Sequence, residues 1–232
     1  MIRVIAGKEL RTLWCTPVPF VVGALFHLVV AVLFVNQIEA RRQALVQPLF
    51  PIAGFLLLAM VPVIAMRSVA EEERSGTLDL LEVAPVTATS IVVGKWLGCW
   101  LTVLAVVLPV ALVVPLLELL GRPDIGPATS GFIGLALFTA ALTGIGVLAS
   151  SLTTSQPVAA MVGLSISLVL WFAHVGSSSL SAGGLLDALS ISERLRQFAG
   201  GVIDSSDVVF FVILAAAALV AATVVVSGRR LR

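Results

Sequence analysis

The chain has 232 residues, 59% of them hydrophobic and 12% charged, with a mean hydropathy of +1.12 and a formal net charge of +1. A typical soluble domain carries about 25% charged residues, so the composition excludes a soluble globular protein and indicates an integral membrane protein, while a near-neutral charge gives nucleic acid no electrostatic hold. At about 20 residues per span, the length accommodates around six helices with short loops, hence one all-α membrane domain over residues 1–232.

In chain order, Ile2, Ile5, Ala6, Leu10, Leu13 and Trp14 recur at helical spacing, with Arg3, Lys8 and Arg11 on the opposite side. This predicts a basic amphipathic helix over residues 1–16, lying in the headgroup layer. The apolar stretch from Val18 to Val35 exceeds a usual signal core and has no small-residue cleavage site, so it reads as a retained first span. The six expected spans are Pro17–Asn36, Pro48–Met66, Trp96–Leu119, Thr129–Leu152, Pro157–Val175 and Val208–Ser227. Gly94 and Gly98, and Ala136, Ala140 and Gly144, are small residues four apart that let helices approach closely.

Between the second and third spans, Arg67–Lys95 carries Glu71, Glu72, Glu73, Arg74, Asp79 and Glu82, a density of ionised groups too costly to place in lipid. Glu71–Arg74 reads as a charged first turn, and Leu78, Leu81 and Ala84 come after it at helical spacing before Pro85. The pattern predicts a short helix on the membrane surface, although a solvated loop between spans fits the same spacing. Gly76-Thr77 marks a break or restart, since Gly tolerates unusual backbone angles and Thr can cap a new helical turn.

Residues 176–207 are too polar for a simple span yet hold Leu185, Leu186, Leu195 and Phe198, which suggests short helices dipping into the outer leaflet or lying on it. Nine of the 14 Lys and Arg residues fall on one side of this topology: Arg3, Lys8, Arg11, Arg67, Arg74, Lys95, Arg229, Arg230 and Arg232. The positive-inside rule therefore expects both termini and the Arg67–Lys95 segment in the cytoplasm.

Glu71 to Lys95 resembles the signature of type-2 ABC transporter permeases, through Glu71, Glu73, Arg74, Gly76, Thr77, Leu80, Leu81, Pro85, Val86, Gly94 and Lys95. The resemblance implies that Arg67, Glu71, Glu72, Glu73, Arg74, Gly76, Thr77, Leu80 and Leu81 form a cytoplasmic coupling element that touches a separate ATPase subunit. Glu193 to Phe211, with Phe198, Gly201, Val202, Ile203, Asp204, Asp207 and Val208, is similar to the stretch before the last helix in the subgroup associated with gliding motility and nitrous-oxide-reductase maturation. The family likeness implies an exporter in the bacterial cytoplasmic membrane, built from two permease copies and two ATPase subunits that bind ATP and Mg, with membrane lipid around it and room for an extracytoplasmic accessory protein.

Gly94-Lys95-Trp96 lacks the hydroxyl residue and the earlier Gly of a phosphate-cradling loop, so no cofactor is expected on this chain and the motor is expected elsewhere. His27 and His174 sit in no nucleophile constellation, and His27 reads as a polar contact between packed helices. Cys15 and Cys99 form no C-x-x-C pair and predict neither disulfide nor metal. An ion-coupled secondary transporter or a membrane-embedded enzyme are the alternatives. Both lack their usual mark, which is ionisable or unwound elements at midplane for the first and a nucleophile with its base for the second.

Overall fold

The structure is a computed structural model that describes residues 1–41, 45–74, 87–118, 124–177 and 189–229. All regular elements among these residues are helical: α1 Ile2–Trp14, α2 Val18–Arg41, α3 Leu49–Ala65, α4 Ala70–Arg74, α5 Ala88–Val107, a 3-10 turn Leu108–Leu112, α6 Val113–Glu118, α7 Ile125–Ser151, α8 Gln156–Trp171, α9 Ala173–Ser177, α10 Ile191–Ala199 and α11 Ser205–Arg229. Five helical stretches among them are long and apolar enough to cross a membrane: Val18–Ala40, Leu49–Arg74, Ala88–Glu118, Ile125–Ser151 and Ser205–Gly228. The expected fifth span corresponds to α8, a shorter apolar helix of 16 residues that leads into α9.

α7 is the helix around which the others assemble, and its small residues are the reason. A Cβ on Gly131 would lie 2.2 Å from the Phe50 ring of α3, and one on Gly146 would lie 2.6 Å from Ala65 Cβ. Gly144 gives α11 the same access, with Ala215 and Ala218 within 3.5 Å of its absent Cβ. In lipid, close backbone approach of this kind replaces the hydrophobic drive available in water. Trp96 and Trp100 of α5 stack at 5.4 Å, and their indole N–H groups donate to the Ala140 and Ala136 carbonyls of α7 at 2.9 and 3.1 Å.

One helix boundary and the packing of one helix differ from the sequence reading. α5 begins at Ala88, capped by the Thr87 hydroxyl accepting from the Ser90 N–H, so Gly94 and Lys95 lie well inside a helix and do not open it. α1 does not lie free with its whole apolar stripe toward lipid; Glu9 and Leu13 are buried, and Ile5 and Glu9 sit against Gly94 and Gly98 of α5. The expected surface helix with Leu78, Leu81 and Ala84 lies outside the described residues, as do residues 178–188 of the outer segment.

α7 also gives the molecule its ends. Ser130 near its start bonds α10, and Ser150 near its finish bonds α4. At 1.5 Å per residue these anchor points are about 30 Å apart, the thickness of a bilayer's hydrocarbon core.

Candidate functional site

The strongest concentration of buried charge lies at the α4 end, where α1, α4 and α5 meet. Lys95 is only 1% exposed. Its Nζ stands 2.7 Å from Glu72 Oε2 of α4 and 3.4 Å from Glu9 Oε2 of α1, and it donates to the Ser68 carbonyl. Lys8 Nζ donates to Glu72 Oε1 at 2.9 Å, which extends the group into a chain of alternating charge, Lys8–Glu72–Lys95–Glu9. Alternation is what allows the group to be buried, because an ion taken from water without a partner is prohibitively expensive. Burial pushes the Glu9 carboxyl above its ordinary range, and Lys95 offsets only part of that effect.

Glycine makes the meeting possible. Cβ atoms at Gly94 and Gly98 would approach Ile5 Cβ at 2.8 Å and Glu9 Cβ at 2.6 Å, contacts that no side-chain rotation relieves. Gly98→Val is therefore expected to push α1 off α5 and to lower stability by about 1–3 kcal/mol, the usual cost of overpacking. Thermal unfolding in detergent checks this.

The entry to α4 is fastened on its other side as well. The Ser150 hydroxyl accepts from the Val69 and Ala70 N–H groups at 3.1 and 3.0 Å and donates to the Met66 carbonyl at 2.8 Å, so one side chain of α7 caps α4 and ties it to the end of α3. Arg67 grips Glu71 through both arms of its guanidinium, Nε to Oε2 at 2.7 Å and Nη2 to Oε1 at 2.8 Å. That fork is the geometry in which arginine pairs best with a carboxylate. Beside it opens a cavity of about 200 Å³ lined by Lys8, Glu9, Thr12, Arg67 and Glu71.

Of the expected coupling residues, Arg67, Glu71 and Glu72 come together here, and Glu73 and Arg74 end α4. Gly76, Thr77, Leu80 and Leu81 lie outside the described residues. Lys95 was read as part of the signature but not as a partner of Glu72, and Glu9 and Ser150 escaped the sequence reading of the site. The signal for Glu9 is its place between Ile5 and Leu13, four residues from each, as the single acid on an otherwise apolar stripe.

At the opposite end the four expected outer residues have distinct structural tasks. Phe198 of α10 is fully buried, 6.3 Å from the Phe211 ring centroid, with its carbonyl accepting from the Ser130 hydroxyl at 2.7 Å. Gly201 has φ +92°, a left-handed turn that favours glycine. Asp204 precedes α11 and accepts from the Ser206 N–H at 2.9 Å. Asp207, 2% exposed, pairs with Arg194 Nη1 at 2.5 Å, and that guanidinium lies 4.1 Å from the Phe210 ring centroid. α10 thus lies across the starts of α3 and α7 as a cap, with Leu195 filling the space left at Gly54.

His27 Nδ1 is 2.7 Å from the Gly23 carbonyl one turn back on its own helix, which replaces the expected contact between helices. His174 meets Ser192 of α10 at 3.4 Å. Among the described residues, no three His, Cys, Asp or Glu side chains gather in a way that could hold a metal ion.

No curated protein matches the chain. A family model described as "ABC-2 family transporter protein" matches residues 24–192, which takes in α2 through the start of α10 and well over half of the sequence. With apolar helices of spanning length and a charged, fastened turn between the second and third of them, the chain belongs to the ABC-2 family of transporter membrane proteins.

Proposed function

We propose that this chain is the permease subunit of an ATP-driven exporter in the bacterial cytoplasmic membrane, working as a homodimer with two ATPase subunits that hold ATP and Mg. Family membership supports the permease role and a partnership with an ABC ATPase. The observation that carries the coupling part of the reading is the attachment of α4. Glu72 is tied to α1 and α5, and the α4 N-terminus is tied to α7 through Ser150. A push delivered to the segment beyond Arg74 therefore reaches three other helices at once. Arg67, the Glu71–Arg74 turn and the subsequent Gly76, Thr77, Leu80 and Leu81 form the surface that receives the motor.

In this reading both termini and α4 face the cytoplasm, in keeping with the basic asymmetry of the sequence. α8 is the sixth crossing: its 16 residues span about 24 Å at 1.5 Å per residue, and α9 extends it. α10 covers the outer end of the path and offers a surface to an accessory protein. The likeness of Glu193–Phe211 to the gliding-motility and nitrous-oxide-reductase-maturation subgroup belongs with these proposals.

The test is ATP turnover in reconstituted membranes containing the permease and its ATPase. Arg74→Glu, and separately Gly76→Pro, should leave expression and assembly intact while lowering the permease-dependent part of the turnover. Turnover equal to that of the unsubstituted complex in both variants would mean that the Arg67–Lys95 segment does not couple.

A further inference from the structure

We infer that Lys95 is the positioning residue that makes α1 a moving part of the coupling unit, so that α1 and α4 travel together when the ATPase partner turns over. The inference rests on the coupling role proposed for α4 and extends it to a helix outside residues 24–192, the stretch that carries the family match.

A helix that only anchors the chain in the headgroup layer keeps its charges toward water and its apolar stripe toward lipid. α1 does something different. Glu9, an acid, sits on the face turned to α5 and is buried, while Val4 and Trp14 are 72% and 42% exposed. Two large apolar side chains are thus left outward, and a carboxylate is turned inward, where its ion-pair partner, Lys95, comes from another helix.

The ammonium of Lys95 is shared between carboxylates of two elements far apart in sequence, Glu9 and Glu72. Withdrawing either element from Lys95 would strand buried charge, which is costly, whereas moving both with Lys95 keeps every pair intact. The Lys8–Glu72 contact at 2.9 Å is 56% exposed on the lysine side, where water screens it, so the tie between α1 and α4 rests on Lys95. The absent side chains at Gly94 and Gly98 hold α1 at backbone contact distance, so a displacement of α5 is passed on without slack. Low-cost relative sliding is closed off, and joint motion is the path that remains.

The experiment tracks α1 with a reporter cysteine at Val4, in a Cys15→Ser background, in the complete permease–ATPase complex in lipid nanodiscs. A second reporter, Ser75→Cys, tracks the coupling segment. Maleimide labelling rates are compared between the ADP-bound and vanadate-trapped complex. Both reporters should change rate on trapping. Glu9→Gln, which keeps the shape of the side chain and leaves the Lys95–Glu72 pair in place, should abolish the change at Val4→Cys and retain it at Ser75→Cys; Lys95→Met should do the same. Leu13→Ala, which loosens the same helix without touching a charge, should retain both changes, an outcome that a purely structural role for Glu9 does not predict. A Val4→Cys response that persists in Glu9→Gln and Lys95→Met, or is absent from the parent while Ser75→Cys responds, would overturn the inference and leave the coupling reading standing. A response at neither reporter would overturn both.

Discussion

Lys95→Met should lower the stability of the permease by about 3–5 kcal/mol, the usual cost of removing one partner from a buried ion pair. The size reflects the charges that remain. Glu9 would still be buried and Glu72 partly so, with Lys8 able to serve Glu72 but with the Glu9 ion pair to Lys95 gone. Their choices are to ionise unpaired or to take up protons, and either erodes the gain from burial. The same logic makes a second substitution restorative: Glu9→Gln combined with Lys95→Met removes the stranded charge and should recover a large part of the loss. Unfolding monitored by intrinsic fluorescence is well placed to measure this, because Trp96 and Trp100 lie beside Lys95 on α5. Equal stability of the single and double variants would mean that Glu9 is not compensated by Lys95.

Phe198→Ala should cost about 3–5 kcal/mol, the range for emptying an aromatic core site, and Phe198→Asp should cost more by adding a charge to an apolar cavity. Phe198 is fully buried among Phe211 and the backbone of Gly134, whose absent Cβ would come within 2.6 Å of Phe198 Cβ. Losing the ring releases the lid formed by α10, so the expected result is lower thermal stability with insertion into the membrane preserved. Val202→Asp, at a site 59% exposed a few residues away, should shift stability by no more than about 0.5 kcal/mol, as surface substitutions do. A Phe198→Asp variant as stable as the parent would show that α10 does not cap the bundle.

The spans were legible because lipid imposes a simple rule: about 20 apolar residues in a row, with charge at the ends. α2, α3, α7 and α11 all obey it, and their helix ends fall within five residues of the expected ones. α8 is the exception, since its helix stops at Trp171 and α9 starts at Ala173, which divides the expected span between them. The acidic turn Glu71–Arg74 was also readable from its local charge pattern. Its partners were not, because Lys95 reaches Glu72 from 23 positions along the chain and Glu9 meets them from a separate helix. Periodicity gives the face of α1 but not what packs on it, so the sequence does not show that Glu9 meets Lys95. At the other end, Gly201 and Asp204 carried recognisable turn and cap chemistry, while the pairing of Asp207 with Arg194 depends on how α10 folds back over α11.

A photo-crosslinking amino acid placed at Arg74, and in a separate variant at Val202, tests whether the α4 end is the one that receives the motor. In membranes containing the assembled transporter, illumination should join the Arg74 variant to an ABC ATPase subunit, identified by mass spectrometry, and should leave the Val202 variant free of it. Capture of the ATPase from Val202, or its absence from Arg74 in a complex that still hydrolyses ATP, would contradict the assignment of α1, α4 and α5 to the coupling face.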